Sequence, residues 1–230
     1  MKKVNLITLA VVSSLLSSSV FSGVLMVRQE HLSDPFKPEQ KNATLIKAGG
    51  SAGKTFFGVQ AVHKGETLST YALSSSEVQL GYRYDVNDTI RLIPQLQATA
   101  TASGIGWKPQ LGFVYKFGGG FSTELKYKHE YFVRQTPNSK GESTSEKSQY
   151  QVNLNYALDK LRLGLQYDYH KGLDGQKYYN GNGFKQELEL KAYYRIAKGW
   201  TPFVTFAGVP VHHSSEDYQL RTRLGFLYSF

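Results

Sequence analysis

Apolar and polar residues alternate with a period of two along most of the chain, while the 3.6-residue period of an amphipathic helix is almost nowhere found. Leu161, Leu163, Leu165, Tyr167 and Tyr169 fall on one face of an extended segment whose other face carries Arg162, Gly164, Gln166, Asp168 and His170. In the same way Tyr150, Val152, Leu154, Tyr156 and Leu158 oppose Gln151, Asn153, Asn155 and Ala157. Trp107, Leu111, Phe113, Tyr115 and Phe117 oppose Lys108, Gln110, Gly112 and Lys116. The pattern predicts an all-β protein with twelve strands, at 24–32, 42–51, 54–63, 73–84, 89–99, 105–117, 121–134, 147–158, 161–170, 184–196, 200–209 and 218–230. Most of these are long enough for a tilted membrane crossing, which takes about 9–11 residues.

The connections fall into two alternating classes. Every second one is a tight turn of φ-tolerant residues: Ala52-Gly53, Asp85 to Asp88, Gly118-Gly119-Gly120, Asp159-Lys160 and Ala197-Lys198-Gly199. The others, 33–41, 64–72, 100–104, 135–146, 171–183 and 210–217, are longer and polar. Short turns on one rim and long loops on the other are how outer-membrane barrels are built, and an even strand count puts both termini on the short-turn, periplasmic side. The expected fold is therefore a transmembrane antiparallel β-barrel of twelve strands around a narrow pore. The last strand sets Leu224, Phe226, Tyr228 and the terminal Phe230 on one face, which resembles the ending that such barrels present to their assembly machinery.

The first residues read as an export signal: Lys2 and Lys3, an apolar run from Leu6 to Leu16, then Val20-Phe21-Ser22 as a cleavage region. The apolar run is too short for a membrane helix, which needs about 20 residues. Residues 1–22 are accordingly expected to be removed, leaving 23–230 as one barrel domain in the bacterial outer membrane. The absence of Cys excludes disulfides and thiolate metal sites.

Composition changes this picture mainly through charge. The formal charge is +9, of which Lys2 and Lys3 supply two, so +7 belongs to the segment from Gly23 on. A charge on the lipid face of a barrel costs about 2–4 kcal/mol at the midplane, so the charged faces must line the lumen. That places Arg28, Glu30, Lys47, Arg83, Arg91, Lys108, Lys116, Glu124, Lys126, Lys128, Glu130, Arg162, Glu187, Glu189, Lys191, Arg195, Arg221 and Arg223 inward. Barrel closure brings the last strand beside the first. Arg221 and Arg223 then join Arg28 and Lys47 in one basic ladder, opposite a second formed by Lys108, Lys116, Lys126 and Lys128. The tenth strand, with two glutamates and two bases, is expected to neutralise itself, whereas the first ladder has only Glu30 and keeps uncompensated charge. Rings of Arg and Lys attract and relay anions, and Arg holds a carboxylate through two parallel hydrogen bonds. The expectation is an anion-selective channel for small acidic molecules, with Arg28, Lys47, Arg83, Arg91, Lys108, Lys116, Lys126, Lys128, Arg221 and Arg223 as substrate-binding residues.

Four stretches carry a family resemblance: Val24-Leu25-Met26-Val27-Arg28-Gln29-Glu30-His31, Gly81-Tyr82-Arg83-Tyr84, Thr201-Pro202-Phe203-Val204, and Arg223-Leu224-Gly225-Phe226-Leu227-Tyr228-Ser229-Phe230. In these, and in strand count and spacing, the chain resembles the KdgM-like family of outer-membrane porins for acidic oligosaccharides. The resemblance implies a monomeric twelve-stranded barrel in outer-membrane lipid, lined by basic tracks, that takes up oligogalacturonate or related uronate oligomers. It assigns binding first to Arg28, Arg83, Arg221 and Arg223.

Three other readings stay in view. A general small-anion porin would need the same lumen. An outer-membrane hydrolase or acyltransferase could use His212 and His213 with Ser214, Ser215, Glu216 and Asp217 in the last long loop, but adjacent loop residues of this kind usually only solvate it. A plugged barrel serving as an adhesin would want longer loops. The expectation is a non-enzyme without a catalytic residue, metal or cofactor. Nucleic acid is not an expected partner, because the export signal and barrel pattern put the charge inside a pore.

Overall fold

A computed structural model describes residues 22–33, 42–65, 70–139, 141–173, 175, 177–178, 182–211 and 217–230. The strands are β1 (Ser22–Leu32), β2 (Asn42–Ala52), β3 (Thr55–Lys64), β4 (Ala72–Tyr82), β5 (Tyr84–Asp85), β6 (Ile90–Thr101) and β7 (Gly104–Gly118). There follow β8 (Phe121–Arg134), β9 (Thr144–Ala157), β10 (Leu161–Gly172), β11 (Phe184–Tyr194), β12 (Trp200–Pro210) and β13 (Tyr218–Ser229). The short β5 continues β4: Gly81 pairs with Gln95 and Tyr84 with Leu92, in one unbroken register. The break between them faces Pro94, which has no N–H for the ladder, and the Arg83 N–H bonds to the Lys54 carbonyl instead. The wall is thus a closed antiparallel barrel of twelve crossings, and the fifth to twelfth expected strands are β6 to β13.

Closure follows from two seams. β1 pairs with β13 from Val24↔Ser229 to Leu32↔Arg221, and reciprocal bonds join Gly23 and Phe230. β4 pairs with β6. A sheet without edges leaves no unpaired backbone row, which is what allows strands to lie in hydrocarbon.

The alternation then sorts every side chain. The outer surface is apolar, with Val78, Leu190 and Leu224 each more than half exposed, while Gln110, Ser148, Gln151, Asn153, Asp168, Glu189 and Thr205 are buried on the inside. That is the inverse of a water-soluble protein and matches a lipid-facing wall. Changing Leu190 to Arg is therefore expected to cost about 2–4 kcal/mol, seen as an earlier urea unfolding midpoint in lipid vesicles. An unaltered midpoint would place this face in the lumen.

The turns on the terminal rim are built as their residues require. Gly118, Gly119 and Gly120 all have positive φ (88°, 58° and 86°), which only glycine adopts in succession without strain. The Asn87 carboxamide oxygen accepts from the N–H groups of Thr89 (3.0 Å) and Ile90 (2.7 Å), closing the 85–89 turn. On the other rim one expectation is corrected. The 100–104 connection is a two-residue hairpin rather than a long loop, because Thr101 pairs directly with Gly104. β9 also begins at Thr144, earlier than expected, since Thr144 and Ser145 pair with Val133 and Phe132. Residues 1–21 and the His212–Glu216 stretch lie outside the described residues.

Candidate functional site

All ten residues expected to bind substrate lie on the lumen face or at its rim, but their surroundings differ sharply. Arg221 and Arg223 on β13 were expected to be uncompensated. Instead, Glu187 and Glu189 of β11 reach them across β12, whose inward residues are the small Ala207 and Thr205. Two strand spacings of about 4.8 Å separate the Cα atoms, a gap that extended Glu and Arg side chains bridge. Arg221 lies 3.1 Å from Glu187 and 3.6 Å from Glu189. Arg223 donates from Nε to Glu30 (2.6 Å) and from a terminal nitrogen to Glu189 (2.9 Å). Thr205 adds a hydroxyl bond to Glu189 at 2.6 Å, and Arg28 stands 3.7 Å from Glu30. The arginine ladder is therefore a network paired with carboxylates, and the tenth expected strand shares its acids between β13 and its own Lys185, 2.6 Å from Glu187, and not with Lys191 or Arg195. Lys191 there donates to the Gln166 carboxamide, and Arg195 lies 3.6 Å from Asp159 at the rim.

Residues near the terminal rim are likewise engaged. Arg91 pairs with Asp85 at 2.5 Å, and Lys116 donates to the Asp88 carbonyl at 3.1 Å, tying both to the 85–88 turn. Arg83 stacks its guanidinium 4.7 Å over the Phe56 ring in a cation–π arrangement. Arg162 does the same over Tyr193 at 4.4 Å, and Tyr193 in turn packs on Phe203.

The opposite wall is different. Lys128 on β8 has neither an ion pair nor a hydrogen bond among the described residues; on the near side, beside the arginine network, Lys47 of β2 donates only to the neutral Gln79 carboxamide (3.1 Å). Lys47 on β2 and Lys126 on β8 face the lumen from opposite parts of the wall. Lys126 is 3.0 Å from Glu124, and Lys108 is a loose 3.8 Å from Glu130. Between these cations runs a row of carboxamides. Gln110 donates to Gln97 (2.5 Å), Gln97 to Glu77, Gln149 to Asp168 (2.7 Å), and Asn153 to Glu124 (3.3 Å). Such amides offer both donors and acceptors, which suits the hydroxyls of a sugar. Among the described residues no three His, Cys, Asp or Glu side chains gather as a metal site would require.

The residue list from sequence omitted Lys147 and Lys185, which line the lumen near the loop rim. Lys185 shares parity with Glu187 and Glu189 on β11, so the alternation already marked it as inward. Lys147 stands opposite Glu130 and could be read the same way.

A closed twelve-stranded wall with an apolar exterior and a charged, carboxamide-rich interior defines an outer-membrane porin. Residues 58–230 match the family described as oligogalacturonate-specific porin protein (KdgM), and the chain belongs to that family. It is 25% identical to the oligogalacturonate-specific porin KdgM of Dickeya dadantii (strain 3937), covering 99% of this chain and all of the relative. In fold it is similar to the NanC porin, with a TM-score of 0.75 at 13% identity, covering 90% of this chain and 100% of that one. It is similar also to the KdgM porin, with a TM-score of 0.68 at 18% identity over 90% of this chain and 99% of that one. The latter has been solved in complex with disordered oligogalacturonate as well.

Proposed function

We propose that this porin passes acidic oligosaccharides, uronate oligomers of the oligogalacturonate kind foremost, and that its lysine wall is the transport surface. The observation carrying this reading is the contrast between lumen charges that acids pair with and those that they do not. Carboxylates pair with Arg221 and Arg223, while Lys128 and Lys47 have no carboxylate within ion-pair distance among the described residues and are left to meet a passing anion. Arg28 and Arg83 complete the path toward the terminal rim, with Lys108 and Lys126 supplying further charge. Arg91 and Lys116 are assigned to the turn rather than to cargo. The name of the relative from Dickeya dadantii and the oligogalacturonate complex of the KdgM porin support the choice of cargo.

Residues 1–22 act as a cleaved export signal, 23–230 form the single domain, and the turn rim with both termini faces the periplasm. The protein works as a monomer in outer-membrane lipid, without cofactor or enzymatic activity. In a planar bilayer it is expected to conduct and to prefer chloride over potassium. Trigalacturonate at millimolar concentration should interrupt that current, and a neutral trisaccharide should not. Cation preference would overturn the reading. Equal interruption by both sugars would reduce it to a non-selective sugar pore.

A further inference from the structure

At the loop rim the lumen opens into a cavity of about 310 Å³, at the low end of the roughly 300–1,000 Å³ of small-molecule sites. Lys108, Lys128, Lys147, His170 and Lys185 line it, and from the 171–183 connection Tyr178 reaches in beside them. The Tyr178 ring is clamped rather than free. The ammonium groups of Lys147 and Lys185 lie 5.3 and 5.7 Å from its centroid, and its N–H bonds to the Asn182 carbonyl at 2.8 Å. Its hydroxyl oxygen is shut off from solvent and has no hydrogen-bond partner among the described residues.

A buried, unsatisfied hydroxyl costs about 1–3 kcal/mol, a cost that a small turn of the ring toward a carboxylate in the cavity would remove. Burial, followed by the fields of Glu130 and Glu187, pushes its ionisation well above the ordinary tyrosine range, so it stays a donor at any pH the barrel meets. Around it the acids are already committed: Glu187 to Lys185 at 2.6 Å, Glu130 to Lys108 at 3.8 Å. Lys147 and Lys128 have no carboxylate within ion-pair distance. The Tyr178 side chain and the unpaired ammonium groups of Lys147 and Lys128 line one cavity, a donor set whose chemistry suits one carboxylate.

We infer that this mouth holds a discrete carboxylate-binding subsite, in which the Tyr178 hydroxyl together with Lys147 and Lys128 captures the leading acidic sugar of a chain entering from the loop rim. The inference rests on the reading of the barrel as an acidic-oligosaccharide channel and adds to it a first stop at the loop-rim end of the lysine wall. It uses a hydroxyl that the transport reading leaves idle.

Two measurements on the intact, refolded protein separate the claims. Calorimetric titration of digalacturonate into the detergent-solubilised barrel reads the subsite. Tyr178→Phe, which keeps the clamped ring, is expected to weaken binding about tenfold, the value of a hydrogen bond to a charged group. Lys147→Gln should weaken it by a similar factor. Lys171→Gln, whose side chain lies on the outer face, should bind as the wild type does. Equal affinity of wild type and Tyr178→Phe overturns the subsite, as does equal binding of a neutral disaccharide. Current interruption by trigalacturonate added to the loop side reads transport. If the current is never interrupted while titration still depends on Tyr178, the channel reading fails and the subsite stands. If the wild-type current is interrupted and Tyr178→Phe binds normally, the subsite alone fails.

Discussion

Replacing Arg223 with Ser is expected to destabilise the barrel by about 3 kcal/mol, the low end of the loss on breaking a buried ion pair. Arg223 satisfies Glu30 at 2.6 Å and Glu189 at 2.9 Å, and these side chains are only 15%, 14% and 6% exposed. Its removal leaves Glu189 with the neutral Thr205 hydroxyl at 2.6 Å and Arg221 at 3.6 Å, and Glu30 with Arg28 at 3.7 Å, so neither carboxylate keeps a cation in good hydrogen-bonding geometry. The uncovered carboxylates also repel anions, so chloride preference should fall toward unity in the same variant. Urea unfolding in vesicles reads the first effect and reversal potentials read the second. Adding Glu189→Gln should recover part of both, because the pair is one interacting unit and its losses are not additive. A single Arg223→Ser barrel with wild-type stability would mean that the ladder is free, as the sequence suggests, and that the network is not structural.

The Lys126→Gln and Lys128→Gln double change is expected to do the opposite: transport is damaged and folding spared. Lys128 has no partner to orphan, and Glu124, losing Lys126, still accepts from Asn153 at 3.3 Å. Heat-modifiable mobility on gels should therefore be unchanged. The residence of trigalacturonate should shorten about fivefold per lysine, corresponding to the ~1 kcal/mol between unit charges 4 Å apart in water. Residence unchanged in the double variant, with selectivity intact, would remove the lysine wall from the transport path.

The two results together would invert the ranking drawn from sequence, where Arg28, Arg83, Arg221 and Arg223 stood first and the lysines behind. Parity along a strand shows that Arg223 points inward, as the structure has it, but not what it touches. The acid it meets lies two strands away, and the meeting depends on Ala207 and Thr205 of β12 being small enough to pass over. Tyr178 is a stronger case. It belongs to a connection without period-two alternation, so nothing in the pattern marks it, and only the fold carries it beside Lys147 and Lys185.

The amino-acid sequence by itself determined the wall. Alternation specifies which residue faces lipid, because a one-residue slip would turn every strand's charges into hydrocarbon. The turn residues specify where strands end, and the family motifs specify the class of channel. Only the tertiary structure decided which charges are spent. Ion pairing depends on distances of a few ångströms between side chains far apart in sequence, such as Glu30 and Arg223, and barrel closure sets those distances. The lumen described in one dimension as two facing basic ladders is, in three, an arginine side engaged by carboxylates facing a lysine side on which Lys128 has no acid partner among the described residues.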